Sequence, residues 1–453
     1  FRLPGINHED TYILSLMDGL LNNGQAGLID LNLVKSQKVL SGSSGYMVAK
    51  DYSFFQLRAN PREGQSLEEA KDLLLAELEK IKEGDFDDWM LPAVIKNFKL
   101  NDLRSNEYNG SRVYKMTNAF IMKQDWSVIV NENDKLSTLK KQDVIDFANK
   151  YFGDNYIVVN KLTGDKNSIK VEKPEISTLP LNRDTLSSFA AKFDKMNSSR
   201  LTPVYNNYQD IQQNTLNSGI PFYYVENTTN ETFSLSYILD MGEFSDQEMA
   251  LAVEYLEYLG TEKYTSSDLE REMFKLGLSY SVYAAQERVY VSLSGLEESL
   301  EQGIEIFEHI LADVQSDQKV YDNMVLDILK EREDNKLSKW SIQSGMRNYG
   351  KYGDSSPFNY MISSENLKSM DIENLVSKIR ELTSFEHYVY YYGRKEINEV
   401  TSLLEKNHKV VEDLKPLIEP KRFTELDNER NIVYFTDYDM VQSEIAMMSK
   451  VSP

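Results

Sequence analysis

The chain has 453 residues, 41% of them hydrophobic and 27% charged, a profile of globular domains with buried cores rather than of disorder. A formal net charge of −22 argues against nucleic acid, whose binders concentrate Lys and Arg, and reads first as a solubility feature, though it is compatible with basic or mixed peptide partners. With no cysteine, disulfides, thiolate zinc sites and cysteine nucleophiles are excluded, and no run of about 18 apolar residues is present to span a membrane.

The first residues, FRLPG, are neither a start methionine nor a signal peptide, and read as if cut from a longer chain. Asp10 to Gly24 is patterned as a helix ending in glycine. Gly42 and Gly45 in SGSSGY lack the Lys and the spacing of a phosphate loop, so they read as a turn. The strands YMVAK and SFFQLRAN follow, aromatic and β-branched residues alternating as half-buried antiparallel strands require. Ser66 opens a helix through Ile81, and a second helix lies beyond Trp89. LSTLKKQDVIDFANKYF then leads into a β-rich run, Tyr156 to Val159. Residues 166 to 200 carry Pro174, Pro180 and a possible short helix, SSFAAKFDKM, a composition that suits a linker.

The same order then recurs. A hairpin, GIPFYYVENTTNETFSLSYILDMGEF, precedes a helix with Asp246 as N-cap and Gly260 as its stop. Leu251, Ala252, Tyr255, Leu256 and Leu259 fall on one face of it, while Glu254, Glu257 and Tyr258 share the other. Thr265 opens a helix to Gly277, followed by strands LSYSVYAAQ and RVYVSLSG, a helix pair from Leu296, and LKSMDIENLVSKIREL before strand Tyr388 to Tyr391. NIVYFTDYDMVQSEIAMMSKVSP reads as a further copy of the hairpin. The offset between copies is about 230 residues, the mark of an internal repeat. The expected fold is α+β: two homologous domains, each a mostly antiparallel sheet with helices on one face. The expected boundaries are 1–165, a linker 166–200, a second domain 201–425, and the first strands of a further repeat at 426–453.

Two such repeats joined by a long linker, with the lead-in Gly242-Glu243-Phe244-Ser245-Asp246 and the stretch through Gly277, resemble the pitrilysin/insulinase family of zinc metallopeptidases. The resemblance implies four homologous domains of the LuxS/processing-peptidase-like fold, closing in two halves around a peptide chamber. The family's His-x-x-Glu-His motif sets two imidazoles one helical turn apart on zinc, with the Glu activating the metal-bound water. The matching positions here are Glu254-Tyr255-Leu256-Glu257-Tyr258, so the base position remains as Glu257 and both histidines are replaced. The third ligand position falls near Glu331 or Glu333.

The resemblance therefore implies domains two and three of a bacterial-type enzyme, with no catalytic residue and no zinc in this chain. Zinc would belong to the full-length parent, and the partners would be a peptide or protein substrate and the first and fourth domains. The alternative is a non-catalytic scaffold or partner subunit of the same family. Relatives suggest the periplasm, with the cytoplasm as the alternative. The plain readings of the same residues are a solvated polar helix face for Glu254, Glu257 and Tyr258, and a surface charge run for Glu331 and Glu333. His8, His309, His387 and His408 lie far apart, none with a His partner at helical spacing, and His309 reads as structural. Family members anchor peptide on a sheet edge of the second domain, which would fall at Tyr46 to Ala49 or Phe54 to Ala59.

Overall fold

The computed structural model describes residues 1–450 apart from 163, 165–171, 173, 176, 178–184, 198, 199, 204, 206, 207, 428, 429, 441 and 442. The chain forms two compact units, residues 1–156 with 211–453, and residues 157–210. The smaller unit contains the helix Ser188–Asp194, N-capped by the Ser187 hydroxyl, which accepts from the Ala190 amide at 3.1 Å. It lies within the expected linker, of which Pro180 and several neighbours are outside the described residues.

In the larger unit the first sheet has three antiparallel strands in the order β1 (Arg2–Pro4), β3 (Tyr52–Asn60), β2 (Ser41–Met47). SGSSGY is therefore not a turn: Ser41 to Met47 pair in register with Asn60 to Phe54, and the turn falls at 48–51. The glycines serve close approach. A Cβ on Gly42 would come within 2.9 Å of the Ile29 side chain, so glycine lets the preceding helical segment lie directly on the strand. The expected strand Tyr156 to Val159 is absent, and Ile157 and Val159 are almost fully exposed. Its counterpart, β9 (Tyr388–Gly393), is held between two partner strands. Among the described residues, 155–160 join neither edge of the first sheet.

The second sheet has six strands in the order β4 (Gln212–Thr215), β5 (Pro221–Glu226), β9, β6 (Thr232–Leu239), β8 (Val289–Leu296), β7 (Leu278–Ala284), antiparallel except for β5 with β9. Alternation decides its faces. Phe233, Leu235, Tyr237 and Leu239 point into a core with Val289, Val291 and Leu293, under the helices Gln247–Leu256, Leu300–Asp313 and Ile372–Arg380. Ser234, Ser236, Ser292 and Ser294 occupy the other face, where Ser236 and Ser292 are hydrogen-bonded at 2.9 Å. This is an α+β layer with helices on one apolar face, as the pattern predicts.

The two halves of this unit interlock. Phe274, from the second, is buried in the core of the first, Asn97 donates to the Phe274 carbonyl at 2.8 Å, and Arg104 donates to Ser294 at 3.1 Å. Where the helix Ser266–Leu276 ends at Gly277, the strand opposite carries Gly295. A Cβ there would meet the Gly277 carbonyl at 2.2 Å and the Leu278 side chain at 2.7 Å, and the backbone φ of +155 is itself unusual for an L residue. Gly295→Ala is expected to cost about 3 kcal/mol in urea unfolding, since neither backbone nor buried leucine can yield. Wild-type stability would remove that reading.

The expected hairpin after residue 430 does not form among the described residues. The segment instead runs along the helix Lys339–Tyr352: Tyr434 meets Tyr349 with ring centres 5.3 Å apart, Tyr438 donates to the Leu337 carbonyl at 3.0 Å, and Lys339 pairs with Glu444 at 2.5 Å. A hairpin needs a sheet edge to join, and here the helix face supplies the contacts instead.

Candidate functional site

The stretch 246 to 277 lies at one wall of a cleft of about 830 Å³ between the two halves of the larger unit. Asp246 caps its first helix, accepting from the Glu248 and Met249 amides at 3.0 and 3.1 Å. Leu251, Ala252, Tyr255, Leu256 and Leu259 are buried, while Glu254, Glu257 and Tyr258 are exposed. The faces divide as the periodicity predicts, yet the polar face is not simply open to water: Glu254 and Glu257 line the cleft, with Glu270, Lys35 and the edge strand β7.

The helix stops at Leu256, not at Gly260. The next amides tighten, Tyr258 donating to the Tyr255 carbonyl and Leu259 to the Leu256 carbonyl, both at 3.1 Å. These are three-residue steps in place of four. Glu254 and Tyr258 therefore do not sit one α-helical turn apart, as a pair of metal ligands on one helical face would.

The two residues expected near the third ligand position, Glu331 and Glu333, part company. Glu331 lies on the helix Gln318–Leu337, close enough that it and Glu257 add to burial in raising the Glu254 carboxyl above its ordinary range, with Arg332 opposing. Glu333 instead pairs with Lys336 at 2.5 Å on the exposed side. Burial, with Glu257 and Glu254 nearby, also raises the Tyr258 phenol, so it stays protonated at neutral pH. Two carboxylates and a neutral phenol are hard oxygen donors and do not fit a zinc ion, which in such sites takes imidazole or thiolate ligands. Among the described residues, no three His, Asp or Glu side chains are grouped to hold a metal.

Two features were not visible in the sequence. Lys35, from the first half, enters the cleft beside Glu257, Tyr258 and Glu270. The histidines are not all far apart either: His387 and His408 meet with their Nε2 atoms 2.9 Å apart in the core. Both pairings join residues from separate elements, and no local period signals them. His309 is structural in its contacts, its Nε2 3.0 Å from the Thr261 hydroxyl, and His8 caps a single helical turn, its Nδ1 accepting from the Asp10 amide at 3.2 Å.

Residues 1–98 match the family described as the peptidase M16 inactive domain, and residues 223–347 match insulinase, peptidase family M16. No curated protein matches the chain. Among solved structures, a FusC ferredoxin protease mutant in complex with Arabidopsis ferredoxin is 14% identical with a TM-score of 0.43, over 94% of this chain and 50% of that one. The periplasmic protease PqqL from Escherichia coli is 15% identical with a TM-score of 0.41, again over 94% and 50%. A peptidase M16 inactive domain from Pseudomonas fluorescens is 13% identical with a TM-score of 0.41, over 48% and 54%. The chain thus spans about half the length of the solved proteins it matches. The family matches fall in both halves, one of them on the family's inactive domain, and the motif positions hold no imidazole. The chain belongs to the pitrilysin/insulinase family, peptidase family M16, and is a non-catalytic segment of it.

Proposed function

We propose that this chain forms wall and peptide-contact surface of a peptidase chamber, while zinc-dependent peptide-bond hydrolysis is carried out elsewhere in the full-length protein. The observation that carries the peptide contact is the open edge of the first sheet. Among the described residues β2 pairs with β3 alone, over seven residue pairs, whereas β3 also pairs with β1 at Tyr52 to Phe54. Of the two expected anchors, the strand ending at Met47 has, among the described residues, one side free along its whole length, whereas Phe54 and Phe55 are flanked on both sides and only the stretch of β3 from Gln56 on lacks a partner on the β1 side. Tyr46 and Met47 on β2 are well exposed. An extended peptide added along β2 would gain main-chain hydrogen bonds whatever its sequence, which suits a chamber that takes varied substrates.

Hydrogen exchange with β-casein, an unstructured polypeptide, is the direct test. We expect slowed exchange at residues 41 to 47, little change in β3, and no cleavage on adding zinc. Unchanged exchange at 41 to 47 would remove the peptide-contact reading. Chelator-sensitive cleavage by this chain would remove the non-catalytic one.

A further inference from the structure

The end of the Gln247–Leu256 helix has no imidazoles, yet it has a cation. Lys35 Nζ donates to the Glu257 carbonyl at 3.1 Å, stands 3.4 Å from Glu270 Oε1, and lies 5.8 Å from the centre of the Tyr258 ring. These partners are a main-chain carbonyl at the end of the helix, an aromatic ring beside it, and a carboxylate of the next helix. We infer that Lys35 is a tethered ammonium that caps the end of this helix and locks the two halves of the larger unit together across the cleft.

Each contact has a physical reason. The last carbonyls of a helix lack intrahelical donors and carry the negative end of the helix dipole. A helix that stops at Leu256 turns the Glu257 carbonyl outward, and an ammonium is the donor such a terminus favours. The Tyr258 ring offers its electron-rich side to the same charge. Glu270 is buried enough that its carboxyl is raised above the ordinary range despite Lys35, and Gln25 of the first half also hydrogen-bonds to it. A carboxylate so placed requires a positive partner.

Lys35 is also held in place from its own side. It ends a wide π-type turn, Asp30–Lys35. The Asp30 carboxylate is buried and accepts from the Asn23, Gly24 and Gly27 amides at 2.8, 3.0 and 3.1 Å, which fixes the loop leading into the turn. Within the turn, Asn32 donates to buried Glu77 at 2.7 Å. Just after it, Gln37 accepts from Asn323 of the second half. A lysine on so fixed a base loses little further entropy when its ammonium is seated.

Among the described residues two ion pairs join the halves, Lys35–Glu270 and Lys96–Glu298. Glu298 is 67% exposed, whereas Lys35 and Glu270 are 15% and 13% exposed. An exposed pair contributes little and is screened by salt, while breaking a buried one leaves a charge stranded.

The test is a double-mutant cycle on the intact chain, read by urea unfolding. Lys35→Met is expected to raise the unfolding constant about 10- to 100-fold, and Glu270→Gln to a similar degree. Combining them should cost little more than either alone, because the remaining partner is no longer stranded. Lys35→Arg should keep most of the wild-type stability. The coupling should persist in about 0.5 M NaCl, where exposed pairs are screened. Additive losses, loss of the coupling in salt, or less than a twofold change on Lys35→Met would each overturn the proposal. None of these readouts depends on peptide binding, so failure of the chamber reading leaves the test intact.

Discussion

Tyr255→Ala is expected to lower stability by about 4 kcal/mol, the largest single effect anticipated at the motif helix. Tyr255 is the central residue of Glu254-Tyr255-Leu256-Glu257-Tyr258, and it is fully buried. Its ring meets Tyr321 edge-on with centres 5.5 Å apart. Its hydroxyl donates to the Asp317 carbonyl and accepts from the Asp317 amide, both at 2.7 Å. Asp317 is in turn the N-cap of the helix Gln318–Leu337, accepting from the Val320 amide at 3.1 Å. One phenol thus ties the helix carrying Glu254 to the start of the helix carrying Glu331. Truncation removes a large buried ring and leaves the Asp317 amide without its partner, while the Asp317 carbonyl keeps the Tyr321 amide at 3.0 Å. Tyr255→Phe keeps the ring and should cost about 1 to 2 kcal/mol, the share of the two hydrogen bonds. Urea unfolding of the two variants separates packing from hydrogen bonding. Equal losses for Phe and Ala would mean that the hydroxyl, not the ring, joins the helices.

That residue also shows what could be read in advance. Tyr255 was assignable to the buried face because a helix repeats every 3.6 residues, and Leu251, Ala252, Leu256 and Leu259 obey the same rule. The caps at Ser66, Asp246 and Thr265 were legible because a side-chain oxygen before an apolar run has a local partner, the amide two or three residues on. Strands were less legible because a strand exists only where another pairs with it. Tyr388 and Tyr156 open similar β-rich runs, yet only the first has neighbours to complete a ladder. Glu331 comes near enough to Glu254 to act on its charge, while its neighbour Arg332 lines the cleft. The early end of the helix at Leu256 was not legible, because Gly260 looks like a stop while serving another need. Its Cα faces the Tyr264 carbonyl, 2.5 Å from where a Cβ would be. Nor could any local pattern announce Lys35, whose partners lie more than 200 residues away and meet it only once both halves are folded.

The buried histidine pair belongs to the same class, and its consequence is a fall in stability as the solution is acidified from about pH 6.5 towards pH 4. His387 Nδ1 lies 2.7 Å from the Phe385 carbonyl, which only accepts, so that nitrogen carries the hydrogen. Its Nε2 must then accept from His408 Nε2, 2.9 Å away, and a second hydrogen must lie between His408 Nδ1 and Glu308 Oε1, 2.8 Å apart, since a bare nitrogen and a bare carboxylate oxygen would both only accept. The same Glu308 oxygen accepts from Tyr237 at 2.5 Å. Adding a proton to His387 would set two N–H groups head to head inside the core. Burial is the main cause and His408 adds to it, so the His387 pKa falls from the ordinary 6.5 to about 4. The unfolded chain takes up that proton first. The contribution of a neutral His387 is therefore full above pH 6.5 and lost as pH falls to about 4. At 1.36 kcal/mol per pH unit it amounts to about 3 kcal/mol. Carboxylates titrate over part of the same range, so the measurement is a difference between proteins. His387→Gln, whose amide can still donate to the Phe385 carbonyl, should be less stable at pH 7.5. It should lose less stability than wild type between pH 6.5 and 4, by about the same 3 kcal/mol. Parallel pH profiles for the two proteins would mean that His387 takes up its proton in the folded core as readily as in the unfolded chain. The Nε2 contact could then not be the one-hydrogen bridge that its neighbours require.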